Sequence, residues 1–269
     1  MIKRTSAAAQ PGSPKRRRLS VQPAALFSLL LVLCCAYTLS LPQSISVVAG
    51  KKELPVYCVD RSDNVIAISF DAAWGGDKTL PILDILDRYN VKTTFFLVDI
   101  WTQKYPELVR EIIARGHEIG NHSATHPHMN KLDEAGIVKE LRVMSDAAEK
   151  ITGRRVTLFR PPYGEYNDRV VRTARAQGYE VVQWSVDSLD WKNRGAEEII
   201  SRACKVQSGD IVLFHNDSQY IVDALPAVLS YYRKNGYKVV PVSDILLTGE
   251  TYIDIQGRQK PQSTTIPEV

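Results

Sequence analysis

Between Val65 and Leu247 the apolar positions follow two alternating rhythms. Short apolar runs at Val65–Phe70, Thr93–Val98, His117–Gly120, Val181–Val186, Asp210–His215 and Tyr237–Val240 read as strands. Between them, apolar residues recur at helical spacing over Leu80–Tyr89, Pro106–Arg115, Asp133–Thr152, Asn167–Gln177, Ala196–Val206 and Ile221–Asn235. The punctuation agrees with that reading. Pro106 opens a helix that Gly116 closes, Asp133 and Asn167 stand where N-caps belong, and Gly153, Gly178 and Gly236 stand just past helix ends. Strands that alternate with helices predict a mostly parallel sheet wrapped by helices. Runs that are apolar on both faces predict strands covered on both sides. The pattern does not separate a closed barrel from an open sheet.

The N-terminal quarter has another pattern. Residues 1–23 hold Pro, Ser and charge without periodicity, including Lys15-Arg16-Arg17-Arg18. A charge-free apolar run of 18 residues follows from Ala24 to Leu41, at the lower edge of what spans a bilayer as a helix. Basic residues before such a run hold the N-terminus in the cytoplasm and send the rest outward. The expected layout is a basic cytoplasmic segment (1–23), a single-pass transmembrane signal anchor (24–41), a linker (42–64), a globular domain (65–248) outside the cytoplasmic membrane and a polar tail (249–269). A cleaved secretory signal would leave the same domain secreted.

Charge sharpens this picture. Residues 1–52 carry eight Lys and Arg and no acid, leaving 26 basic against 30 acidic residues in the remainder. A mildly acidic body argues against nucleic acid as a partner. Of the four cysteines, Cys34 and Cys35 lie in the apolar run and only Cys58 and Cys204 belong to the body. No CxxC or Cys/His zinc pattern is present. The segment Gly75-Gly76-Asp77-Lys78-Thr79 lacks the full spacing of a phosphate loop.

Five separated stretches carry chemistry-bearing side chains: Ser69–Gly75, His122–His126, Arg160–Gly164, Asp187–Trp191 and Leu213–His215. Taken singly, each also has a bland reading. His122 and His126 can bind a divalent metal if a turn points both rings inward, but His-x-x-x-His also arises by chance. Asp71 can simply initiate a turn. Arg160 before Pro161-Pro162 can be a surface arginine on a rigid turn. Asp71, His122, Asp187 and His215 nevertheless fall at or just after the C-terminal ends of predicted strands, where barrel enzymes build their active face.

The order and spacing of these stretches resemble the polysaccharide deacetylase family, the NodB-homology domains of carbohydrate esterase family 4. The resemblance covers about Val65 to Leu247. It implies a distorted, incomplete (β/α) barrel of about seven parallel strands, with an N-terminal transmembrane helix expected from the sequence. It implies Asp71 as general base, Arg160 as its partner, His215 as general acid and Asp190 as the carboxylate that fixes His215. It further implies His122 and His126 as ligands of a divalent metal, zinc or cobalt. Tyr163, Trp191 and Leu213 would contact substrate, the Tyr163 amide meeting the oxyanion. The substrate expected is an N-acetylated cell-wall polysaccharide, peptidoglycan first.

One position departs from the family pattern. Where two consecutive aspartates are usual, this chain has Asp71 followed by Ala72, which cannot coordinate. Three readings follow: two imidazoles hold a metal weakly, another acid such as Asp77 or Asp71 approaches, or the chain is a catalytically silent wall-binding or sporulation protein. The Phe70–Gly75 segment is similar to that of the sporulation-associated, forespore-directed branch of the family. A deacetylase of small sugars or other amides is a further alternative.

Overall fold

The computed structural model describes Ser28, Leu30–Val32 and residues 52–262. The expected transmembrane run at 24–41 lies outside the described residues apart from those four, which are helical. Among the described residues no helix is long and apolar enough to cross a membrane. The basic segment 1–23 likewise lies outside them.

The strands in chain order are β1 (Cys58–Val59), β2 (Val65–Ala72), β3 (Thr94–Leu97), β4 (Glu118–Asn121), β5 (Leu158–Phe159), β6 (Glu180–Val181), β7 (Val186–Asp187), β8 (Ile211–His215), β9 (Lys238–Val240), β10 (Thr251–Ile253) and β11 (Arg258–Pro261). The main sheet runs β6-β5-β4-β3-β2-β8-β7, and β9 pairs with the start of β2. All of these pairings are parallel. The two outer strands of that path, β6 and β7, are joined by residues 182–185 alone. Five Cα steps reach at most about 18 Å. The edges are therefore drawn together and the sheet rolls into a seven-stranded barrel left open at one seam.

This geometry corrects one expectation. Val181–Val186 reads as a single strand but is two short ones on opposite sides of the seam, with the chain crossing between them. Val182 bridges to Val56, and Trp184 is half-buried against the same cluster as Val56 and Val182.

Period-two alternation along β2 sorts its eight buried residues. Ile66, Ile68, Phe70 and Ala72 join the cluster shared with the surrounding helices. Val65 and Ala67 join a second cluster with Phe96, Leu158 and Ile211, on the other face. Ser69 and Asp71 continue that second row, where the lining turns polar.

The helices form where expected, with shifted ends. The longest, Glu134–Thr152, is capped by Asp133, whose carboxylate accepts from the Gly136 amide at 2.8 Å, and stops at Gly153 with φ of 67°. Asp168–Ala176 is capped by Asn167 in the same way. The helix begun at Ala196 ends at Ala203, three residues short of the expected Val206. A helix at Asp99–Lys104 has too few residues for its periodicity to be read from sequence.

Both domain boundaries also move outward. Residues 52–64 are not a tether but part of the body, because Val56 and Val59 are wholly buried. The first part of the expected tail, residues 251–261, forms the hairpin β10–β11, and β11 pairs with β1. Gly209 makes this junction possible: a side chain there would meet the Val59 carbonyl oxygen at 1.9 Å.

Candidate active site

The expected site residues converge at the C-terminal ends of the strands. Asp71 ends the polar row of β2, His122 follows β4, Arg160 follows β5, and His215 ends β8. Asp71, His122, His126, Tyr163, Trp191, Leu213 and His215 line one cavity of about 580 Å³, with Trp74, Trp184, Asp187 and Asp217. Arg160 and Asp190 lie behind this lining, each wholly buried. The structure thus brings all nine expected site residues together.

On one wall, Arg160 Nη1 donates to Asp71 Oδ1 at 2.7 Å and Nη2 donates to the Gln183 carbonyl at 3.0 Å. The guanidinium lies over the Phe96 ring, 4.1 Å from its centroid. Gly120 makes room for this stack, since a Cβ there would sit 2.3 Å from the Phe96 ring. Burial alone would raise the Asp71 pKa. The charge and hydrogen bond of Arg160, aided by His122 and His215, outweigh it and hold the carboxyl below its ordinary range.

Across the cavity, His215 Nδ1 donates to Asp190 Oδ1 at 2.7 Å, and the His215 backbone N–H donates to Asp190 Oδ2 at 2.7 Å. Asp190 is itself fixed: its N–H donates to Ser188 Oγ at 3.3 Å and its carbonyl accepts from Ser218 Oγ at 3.0 Å. Burial would lower the His215 pKa, but the Asp190 bond and charge, with Asp71 and Asp217 beyond, raise it. Nδ1 being occupied by Asp190, Nε2 is the ring nitrogen left for the cavity.

The third part is the histidine loop. His122 Nδ1 donates to the Arg160 carbonyl at 2.7 Å, so in the neutral ring Nε2 carries the lone pair. That atom lies 3.5 Å from Asp71 Oδ2. Burial lowers the His122 pKa against the pull of Asp71. The His126 ring lies 5.0 Å from that of His122, and its pKa is pushed down to about 4, by burial and then by His122. His126 Nδ1 is buried without a hydrogen-bond partner. Two neutral imidazoles, one of them with an orphaned ring nitrogen, are donors of the type a divalent cation takes.

The fit is short of a usual catalytic site, which has three protein ligands. Among the described residues no group of three or more His, Cys, Asp or Glu has metal-holding geometry. Ala72 explains part of this. Strand pairing with Leu97 carries β2 through residue 72, so its methyl packs on the helix side and does not line the cavity. Asp77 does not line the cavity either.

Sequence reasoning missed the supports of this loop. Glu140, in the long helix, accepts from the Ala124 and Thr125 amides at 3.0 and 2.8 Å and from Thr125 Oγ1 at 3.0 Å. Asn121 Oδ1 accepts from the Ser123 amide, and Ser123 Oγ from the His126 amide. These bonds hold Ser123 and His126 at φ of 75° and 57°. Only the polar Asn121 at a buried strand end could have signalled this from sequence. His128, two residues beyond His126, pairs with Glu165 at 2.8 Å and stacks on Tyr163 at 4.6 Å. Cys58 and Cys204 are free thiols.

Comparison with known proteins bears on this geometry. The polysaccharide deacetylase family model matches residues 59–182. A peptidoglycan-N-acetylglucosamine deacetylase of Bacillus cereus is 37% identical over 194 residues, 70% of this chain and 91% of that protein. A peptidoglycan-N-acetylmuramic acid deacetylase of Bacillus subtilis is 35% identical over 189 residues, 70% of this chain and 40% of its own length. Among solved structures, a mutant of a carbohydrate esterase family 4 pseudoenzyme from Bacillus anthracis, with restored enzymatic activity, superposes with a TM-score of 0.69. It is 32% identical, over 72% of this chain and 71% of that one.

Proposed function

The chain belongs to the polysaccharide deacetylase family, and we propose that it is a hydrolase that removes N-acetyl groups from cell-wall polysaccharide, peptidoglycan first. One observation carries the reading: a carboxylate locked to a buried arginine and an imidazole locked to a buried aspartate line the same cavity. Such a pair supplies a base and an acid with pKa values pushed apart, as amide hydrolysis needs.

In this reading Asp71, kept ionised by Arg160, takes a proton from the attacking water. The water oxygen bonds to the acetamide carbon. The Tyr163 backbone N–H, on a turn held at φ of 59°, donates to the developing oxyanion. His215 gives the proton on Nε2 to the departing sugar nitrogen as the carbon–nitrogen bond breaks, leaving acetate and a free amine. Leu213 and Trp191 line the space for the acetyl methyl. His122 and His126 would hold a divalent ion beside Asp71, which when bound supplies positive charge to polarise the carbonyl and acidify water.

The test is acetate and free-amine release from intact sacculi, chito-oligomers and small amides, with and without added zinc or cobalt. Release from sacculi and chito-oligomers supports the reading; release only from small amides, or none under any condition, contradicts it.

A second reading has its own observation. Ala72, turned into the helix-side core, leaves the metal corner short of a donor, and the family includes a pseudoenzyme of the same fold. A silent protein would bind the wall without releasing acetate. Membrane anchorage, with the domain outside the cytoplasmic membrane, is supported by Lys15–Arg18 ahead of the charge-free run 24–41. The Ala72-containing segment also supports a place in the sporulation-associated branch.

A further inference from the structure

Three of the four tryptophans in the chain, Trp74, Trp184 and Trp191, line the one cavity described above. The fourth, Trp101, is buried. Trp74 is 57% exposed, Trp191 53% and Tyr163 56%. These three rings stand on loops after β2, β7 and β5, so they are spread around the cavity mouth. The other exposed apolar side chains of the body, such as Leu80, Ile100 and Ile255, do not line the cavity. A concentration of exposed apolar surface at a cavity rim marks a ligand site.

Trp74 has no part in the chemistry proposed above, yet the residue that follows it is pinned. The Gly75 carbonyl accepts from Trp101 Nε1 at 2.5 Å and from Asn216 Nδ2 at 3.1 Å. Gly75 sits at φ of 53°, with no room for a side chain because Asp217 Cβ would lie 2.9 Å away. The indole itself meets the His126 ring edge-on, 6.0 Å between centroids. A large apolar ring set beside a fixed turn and left in water offers its face to a flat apolar partner. Trp191 differs, since the Lys192 ammonium lies 5.0 Å from its ring centroid.

The chemistry around these rings selects the partner. Asp187 and Asp217 line the same cavity and present acceptors for hydroxyl groups. The body carries an excess of acid over base, which disfavours an anionic lipid surface. Flat C–H faces flanked by hydroxyls are the surface of a pyranose ring.

We propose that Trp74 is a sugar-stacking platform for a pyranose neighbouring the reacting one. This rests on the deacetylase reading for the identity of the reacting sugar. The experiment titrates the full chain carrying Asp71→Asn, which slows turnover about 10³-fold, with N-acetylglucosamine oligomers of one, two and four units, by calorimetry. The same titrations follow with Trp74→Ala and Trp74→Phe added, each checked for an unchanged melting temperature. Affinity should rise with chain length in the parent. Trp74→Ala should weaken four-unit binding about tenfold and flatten the length dependence, and Trp74→Phe should recover most of it. Four-unit binding untouched by Trp74→Ala, or no binding of any oligomer, overturns the platform. If acetate release by the wild-type chain fails while the Trp74 effect holds, the platform stands and the hydrolytic reading falls alone.

Discussion

The two charge-paired couples and the histidine corner share one cavity but are built to different standards. Asp71–Arg160 and His215–Asp190 are complete: each is joined by a 2.7 Å bond, and each partner behind the cavity is wholly buried. The histidine corner offers two imidazoles, one orphaned nitrogen and a methyl turned away. The contrast teaches which part of the site the fold itself depends on. A buried unpaired charge costs about 3–5 kcal/mol, so neither couple can lose one member cheaply. A missing metal donor leaves no such penalty, and the corner can drift without unfolding the protein.

The largest effect should come from breaking a couple. Asp71→Asn should lower kcat/KM for acetate release about 10³-fold, measured on chito-oligomers. It should also lower the melting temperature, because Arg160 is left with a neutral partner. If the variant deacetylates normally, Asp71 is not the base. Next in size is Asp190→Asn, with a fall in kcat of about 10²-fold. Its sign in pH is fixed. The raised His215 pKa keeps the imidazolium, the acid form, present above the ordinary value of about 6.5, and it is lost as pH rises through the folded value. Removing Asp190 should therefore move the alkaline limb of kcat to lower pH. A limb that stays in place would show that another group is the acid.

Much of this contrast was legible in the chain, and the reasons for the rest are physical. Strands and helices with full periods, such as β2 and Glu134–Thr152, were readable because each buries a face longer than its ends can blur. The couples were readable through the family resemblance and not through spacing, since Asp71 and Arg160 are 89 residues apart. The split of residues 181–186 was not, because a seam crossing and a strand share the same apolar composition. Nor were β1, β10 and β11, whose two to four residues give no period to count. Glu140 looked like any helix-surface acid. The direction of Ala72 was in principle available, from alternation along β2 once Asp71 is placed inward.

The corner yields smaller effects. Ala72→Asp should cost about 2–3 kcal/mol without metal, since it puts a carboxylate on the apolar helix side. Added zinc should restore that loss only if the end of β2 peels away to let residue 72 turn. Thermal melting with and without zinc reads both. A variant as stable as wild type without metal would show that residue 72 already faces the cavity. Smallest is Glu140→Gln, expected to cost about 1 kcal/mol by weakening the bonds that hold residues 124 and 125. It should lower zinc affinity more than it lowers the melting temperature; an unchanged affinity would remove Glu140 from the corner.

The most direct measurement is the pH profile of kcat/KM for acetate release by the wild-type chain. A complete base and a complete acid predict a bell. Its acidic limb should lie below the ordinary carboxylate value, because Arg160 holds Asp71 ionised, and its alkaline limb above the ordinary imidazole value, because Asp190 holds the proton on His215. A profile with a single limb, or with limbs at the unperturbed values, would contradict the claim that these two couples do the chemistry.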